Sequence, residues 1–223
     1  MSSPVPARPW WDNGYPTTEG PTPETDRHRN LMLALIASLL HYFGSTRRRA
    51  YVSGNILVHY EEGNRRRHVS PDVFVARGVE QRERPNYLIW EEAAGPEFVI
   101  ELASPSTSEI DRTRKLRLYR EALRVREYFQ FDPQGGLHEP RLQGVRLVGD
   151  DYVPIDPVAG RLPSLVTGLH LEQAGDDLRL WDPATGAWVP TDAERAEQEA
   201  ARANAAEERL RELEAELARR GTA

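Results

Sequence analysis

The sequence of 223 residues contains no cysteine, which excludes disulfides, thiol nucleophiles and cysteine-ligated zinc or iron–sulfur centres. It contains a single lysine, Lys115, among 29 fixed cations, and the rest are arginine. No apolar run approaches the ~18 residues that a membrane-spanning helix needs. The N-terminus MSSPVPARPWWDNG lacks the basic-then-apolar order of a secretory signal. A cytoplasmic protein with no membrane partner is the expectation. Also missing are a glycine-rich phosphate loop ending in Lys-Ser/Thr, a dinucleotide glycine fingerprint and a nucleophile elbow. The six histidines show no paired metal-ligand spacing; His28 alone, on the first predicted helix, is kept as a second-rank candidate.

The net charge of −6 argues against bulk electrostatic coating of nucleic acid. Two segments run the other way. Residues 44–67 carry Arg47, Arg48, Arg49, Arg65, Arg66 and Arg67 against Glu61 and Glu62. Residues 109–126 carry seven cations against three acids. Such segments are either solvated faces or local contacts for a polyanion.

Residues 1–21, rich in Pro, Thr and Gly, read as an extended arm carrying Trp10 and Trp11. Thr22-Pro23 has the form of a helix start. Leu31, Leu35, Leu39 and Tyr42 then repeat at helical spacing up to a stop at Gly44. Apolar runs over Ala50–Tyr60, Val69–Ala76, Glu97–Ala103 and Glu127–Phe131 read as strands, with Glu61-Glu62-Gly63-Asn64 as a hairpin turn. A helix from about Glu109 to Leu123, with Leu116, Tyr119 and Leu123 as its apolar face, separates the last two strands, which predicts a mixed sheet with helices packed on it over residues 22–135. Residues 136–190 read as a β-rich appendage, with hairpin tips at Gly149-Asp150-Asp151 and Gly175-Asp176-Asp177. From Thr191 a capping box, Thr-Asp-Ala-Glu, opens a helix reaching the end of the chain. Its seam of Ala203, Ala206, Leu210, Leu213 and Leu217 is too polar around to stand alone, so it either pairs with a copy of itself or lies along the body, with self-association as its expected role.

The chemistry rests on carboxylates. Asp72 opens the strand VFVA, and Glu101 lies inside the apolar strand FVIEL. A carboxylate in such surroundings is costly unless paired, hydrogen-bonded or bound to a cation. Two carboxylates from adjacent strands can hold a hard divalent ion such as Mg²⁺ or Mn²⁺ and leave room for water and phosphate. A nearby ammonium can orient or deprotonate the attacking water, or stabilise charge developing on phosphate. Lysine suits that role better than arginine, being a compact charge whose pKa falls on burial. Asp111 and Lys115, four apart on the predicted helix, share a face, so an ordinary surface ion pair is the competing reading. Glu97 lies ~13 Å along the strand from Glu101 and is a second-rank, rim candidate.

The segments SPDVFVA and PEFVIELASPSTSEIDRTRKLRLYREALRVREYFQFDP resemble the Uma-two family, a branch of the PD-(D/E)XK restriction endonuclease-like superfamily. The resemblance runs over about residues 24–135, and the hairpin region to about 190 also resembles one branch of that family. It implies that Asp72 is the first acid and Glu101 the second. Ala103 stands where the superfamily places a lysine; Lys115 matches the later, helix-borne lysine of the Uma-type pattern. The implied fold is an α/β restriction-endonuclease-like mixed sheet flanked by helices, here with a β-hairpin appendage and a long C-terminal helix.

Together these readings lead to the expectation of a Mg²⁺-dependent endonuclease hydrolysing DNA. Asp72 and Glu101 are expected to hold the metal, Lys115 to act on the water, and the six arginines of residues 44–67 to contact phosphate. The alternative is a catalytically silent nuclease-fold protein that binds nucleic acid or serves assembly.

Overall fold

The computed structural model describes residues 25–92, 94–103 and 109–221, excepting the side chains of 109–112, 218 and 221. These residues fall into two units, one up to Val189 and one from Pro190. The expected arm over residues 1–21 and the Thr22-Pro23 start lie outside the described residues.

Helix α1 (Asp26–Ser45) begins at an N-cap Thr25, whose hydroxyl accepts from His28 N at 3.2 Å. Thr25-Asp26 supplies both a capping oxygen and an acid in the first turn, three residues later than the start read from the sequence. The helix passes through Gly44, and Thr46 ends it by donating its hydroxyl to the Tyr42 carbonyl at 2.7 Å. Strands β1 (Ala50–Ser53), β2 (Val58–His59), β3 (His68–Val69), β4 (Val73–Arg77) and β5 (Tyr87–Leu88) follow, then a single turn α2 (Ile89–Glu92). Next come β6 (Phe98–Leu102), helix α3 (Glu109–Glu121) and β7 (Glu127–Phe131). The long run read as one strand over Ala50–Tyr60 therefore breaks in two, and so does Val69–Ala76. The expected hairpin joins β2 to β3.

Beyond β7 lie β8 (Leu142–Val148), β9 (Asp151–Pro154), β10 (Leu162–Pro163), β11 (His170–Ala174), β12 (Asp177–Asp182) and β13 (Ala187–Trp188). The main sheet has the order β1-β4-β6-β7-β8-β9. It is antiparallel except between β6 and β7, which run parallel with α3 as their crossover. Strands β8 and β9 thus extend this sheet, while β10–β13 form a second one and β3-β2-β5 a small third. Both expected hairpin tips, at Gly149-Asp150 and Gly175-Asp176, are present between paired strands.

Alternation along the strands sends side chains to two apolar layers. Val73, Val75, Phe98, Ile100, Phe129 and Phe131 meet Leu31, Leu35, Leu39 and Phe43 of α1, with Leu169, Leu171 and Leu180 of the second sheet. Tyr51, Phe74, Val99 and Tyr128 point the other way and meet Tyr119 and Leu123 at the end of α3. Glu101 shares the parity of Val99 and so belongs to the α3 side. A second carboxylate, Glu127, ties β7 to the second sheet: it accepts from Arg146 Nε (2.8 Å), Ser164 Oγ (2.5 Å) and the amides of Leu165 and Val166. With every lone pair so engaged its role is structural.

In the second unit, α4 spans Asp192–Gly221. Its capping box is formed, with Thr191 N donating to Glu194 Oε2 (2.8 Å) and Glu194 N to Thr191 Oγ1 (3.3 Å). At 1.5 Å per residue it extends ~45 Å. No helix among the described residues is long and apolar enough to cross a membrane.

Candidate active site

Asp72 immediately precedes β4, which pairs antiparallel with β6 so that Val73 faces Ile100 and Phe74 faces Val99. One residue further, the same register sets Asp72 across from Glu101. Directly opposed residues of antiparallel strands share a face, with Cβ atoms ~4.5–5.5 Å apart. The register is held by the Leu102 amide, which donates to Asp72 Oδ2 at 2.7 Å. On the other side the chain after β1 passes close by: a Cβ at Gly54 would stand 1.9 Å from the Asp72 carbonyl oxygen. Glycine is therefore required there, and the next residue, Asn55, donates its N–H to the Pro71 carbonyl at 2.8 Å.

Glu101 sits in a strand buried at all five positions. The parallel β6–α3–β7 crossover folds α3 back over it. Lys115 Nζ donates to Glu101 Oε2 at 3.0 Å, and the Tyr119 hydroxyl donates to Oε1 at 2.5 Å. Lys115 and Tyr119 are four apart and so project from one helix face. Burial pushes the Glu101 carboxyl up to about 7; Lys115 pulls against this, the Asp72 charge adds to it, and the Tyr119 hydrogen bond opposes it. The Tyr119 phenol, fully buried beside Glu101, is itself raised well above its usual range, by burial first and by that carboxylate second. The side chains of Asp72, Glu101 and Lys115 keep 15%, 11% and 22% of their surface exposed, so the cluster is largely buried.

His28 belongs to this group. From the first turn of α1 its Nε2 lies 3.2 Å from Asp72 Oδ1. Glu97 does not: it is held at the other end of the β4–β6 ladder by Arg77 (2.6 and 3.1 Å) and Arg126 (3.1 Å). For Asp111 the backbone lies in α3, and its side chain lies outside the described residues. Lys115 engages Glu101 across the fold.

The candidate phosphate contacts divide. Arg47, Arg48 and Arg49 precede Ala50, which pairs with Arg77 at the end of the β1–β4 ladder away from Asp72. Arg48 is used inside the fold, donating to the carbonyls of Thr167 and Val166 and to the Tyr42 hydroxyl. Arg65, Arg66 and Arg67 are exposed in the β2–β3 loop, from which β3 and Ser70-Pro71 lead directly to Asp72. Arg67 also lies 3.4 Å from Glu61.

The sequence reading missed Tyr119, taken for apolar packing, and Gly54. Tyr119 carried a usable signal, four residues beyond Lys115 on the same face. For Gly54 the only signal was a glycine inside an apolar run, which marks a close backbone approach.

The fold is a mixed α/β sheet with a helical crossover that gathers two acids and a lysine into one cluster. Comparison with known families makes the assignment specific: residues 16–175 match the family Uma2, described as putative restriction endonuclease. The chain belongs to that family. A crystal structure of a putative nuclease belonging to DUF820 from Anabaena variabilis ATCC 29413 is similar at 17% identity. The likeness has a TM-score of 0.49 and covers 68% of this chain and 80% of that one. No curated protein matches the chain.

Proposed function

We propose that the protein is a Mg²⁺-dependent endonuclease that hydrolyses phosphodiester bonds in DNA, with Asp72, Glu101 and Lys115 as its working groups. The observation that carries this reading is the Glu101 carboxyl: buried, opposite a second acid, and in contact with the chain's only lysine.

The donor set fits a hard divalent ion. Asp72 and Glu101 offer carboxylate oxygens, each with a lone pair beyond the hydrogen bond it already accepts. Among the described residues no group of three or more His, Asp or Glu gathers as a metal cage. Two carboxylates suit Mg²⁺, which keeps waters and takes substrate oxygens for the remaining positions. Bound there, the ion would supply Lewis-acid polarisation of the phosphoryl oxygen.

The protein's own groups have separate tasks. Asp72 is fixed by the Leu102 amide and His28, so its carboxylate is oriented before any ligand arrives. Glu101 is aimed by Tyr119 and Lys115 together. The Lys115 ammonium carries three N–H donors, one of them directed at Glu101. It is placed to hold the attacking water or to stabilise charge developing on the phosphate. Arg65, Arg66 and Arg67 are the remaining phosphate contacts on the Asp72 side.

The test is incubation of purified protein with plasmid and Mg²⁺ or Mn²⁺, beside Asp72→Asn and Glu101→Gln. Metal-dependent cutting by the wild type, lost in both variants, is expected. Absence of metal-dependent cutting, or equal cutting by the variants, would leave the cluster as an internal ion network in a non-catalytic nuclease fold.

A further inference from the structure

Helix α4 carries an apolar stripe that is exposed among the described residues: Leu210, Leu213 and Leu217 are 57%, 42% and 68% exposed. Together with Ala203 and Ala206 they alternate steps of three and four residues, the spacing of the inner positions of a coiled coil. The flanking residues are not mixed at random. On one side of the stripe, immediately before Ala203 and Leu210, stand Arg202 and Arg209. On the other side, immediately after Ala206 and Leu213, stand Glu207 and Glu214.

We infer that α4 pairs with α4 of a second copy of this chain as a parallel, in-register two-stranded coil. In that arrangement each flanking residue faces the one five positions on in the other helix. Arg202 then meets Glu207 of the second copy, and Arg209 meets Glu214, in both directions across the seam. An antiparallel pair that sets Ala203 opposite Leu213 would instead bring Arg209 against Arg209 and Glu207 against Glu207, which is repulsive, and leave only Arg202 with an opposite charge, Glu216. Charge complementarity thus selects both the occupant, a second copy, and its direction. Within one helix Arg209 lies against Glu212 and Glu207 against Arg211, contacts exposed to solvent that can be exchanged on pairing. The seam is bounded by Glu199 and Arg220, which fall at inner positions one heptad out from Ala206 and Leu213. It spans about 20 Å, which makes a dimer of modest affinity.

The whole protein is the material for the test. Sedimentation equilibrium should give twice the single-chain mass of 25.3 kDa at high concentration, and the single-chain mass for Leu213→Arg. Because the chain has no cysteine, Ala203→Cys should form a covalent dimer with itself on oxidation, as only the parallel register requires. A single-chain mass at every concentration overturns the inference, and so does a mass unaltered by Leu213→Arg. A cysteine at 203 that links only to a chain carrying Leu213→Cys overturns the parallel order. None of these readings depends on DNA cleavage, so failure here and failure of the nuclease reading are separable.

Discussion

Lys115 Nζ stands 3.0 Å from Glu101 Oε2, although the two lie 14 residues apart in the chain. The contact sets a geometric demand that charge alone does not meet. Lys115→Arg keeps the positive charge but replaces a compact ammonium with a planar fork that cannot lose its proton. Cleavage should fall by about 10²-fold or more, the usual scale for a misplaced proton-handling or charge-stabilising group. Circular dichroism should be unchanged. A Lys115→Arg protein that cuts normally would show that the lysine has no part in the reaction.

The raised Glu101 carboxyl gives stability a particular pH dependence. A carboxyl at about 7 in the folded state, against an ordinary glutamate value of 4.5, binds more protons folded than unfolded between those pH values. Stability contributed by this group is therefore highest at and below about pH 4.5 and declines as pH rises towards 7, by a few kcal/mol at most. Asp132 acts with the opposite sign. Although burial works against it, four backbone amides hold its carboxyl below the usual range, so its stabilisation is present above its unfolded pKa and lost only in acid. Thermal denaturation should show wild type losing stability from pH 5.5 to 8 and Glu101→Gln losing less. Added Mg²⁺ should raise the wild-type midpoint more at pH 8 than at pH 5.5, because the ion must displace the proton.

Tyr119→Phe isolates the positioning of Glu101. The phenol's hydrogen bond favours the ionised carboxylate, so its removal raises that carboxyl further and frees one oxygen to turn. The expected cost in stability is about 1–2 kcal/mol for a buried hydrogen bond. In metal titrations of cleavage, the half-saturating Mg²⁺ concentration should increase and the pH midpoint of metal binding should move up. A purely structural tyrosine would lower stability and leave both metal parameters where they were.

The parts of the site that were legible in the sequence are those encoded locally. The short apolar runs VFVA and FVIEL mark two strands, and the helical spacing of Leu116, Tyr119 and Leu123 marks the crossover, so Asp72, Glu101 and Lys115 could be brought together on paper. What escaped was set by tertiary approach. His28 reaches Asp72 only because α1 packs across the sheet, a relation no periodicity records. Residues 136–190 read as an appendage, yet β8 and β9 continue the main sheet and Leu169, Leu171 and Leu180 share the core under α1. Hairpin signals specify turns, not the surface against which a hairpin packs.

The break between β1 and β2 gives the last prediction. The sequence reads as one strand over Ala50–Tyr60, but Gly54 passes the Asp72 carbonyl too closely for any side chain, and Asn55 adopts a positive φ of 52°. Both elements in that contact are backbone, so neither can move aside as a flexible side chain would. Gly54→Ala must push the β1 continuation away from Asp72, at a cost of at least about 1–3 kcal/mol by the measure of overpacked cores. Because Asp72 is the displaced partner, metal-dependent cleavage should fall further than the loss of folded protein accounts for. Gly44→Ala is the matching control: it lies in α1 with nothing within 4 Å of its added carbon. There alanine should stabilise the helix by up to ~1 kcal/mol and leave activity unaltered. Thermal midpoints and cleavage rates of the two variants, measured side by side, separate a backbone constraint on Asp72 from a general intolerance of glycine replacement.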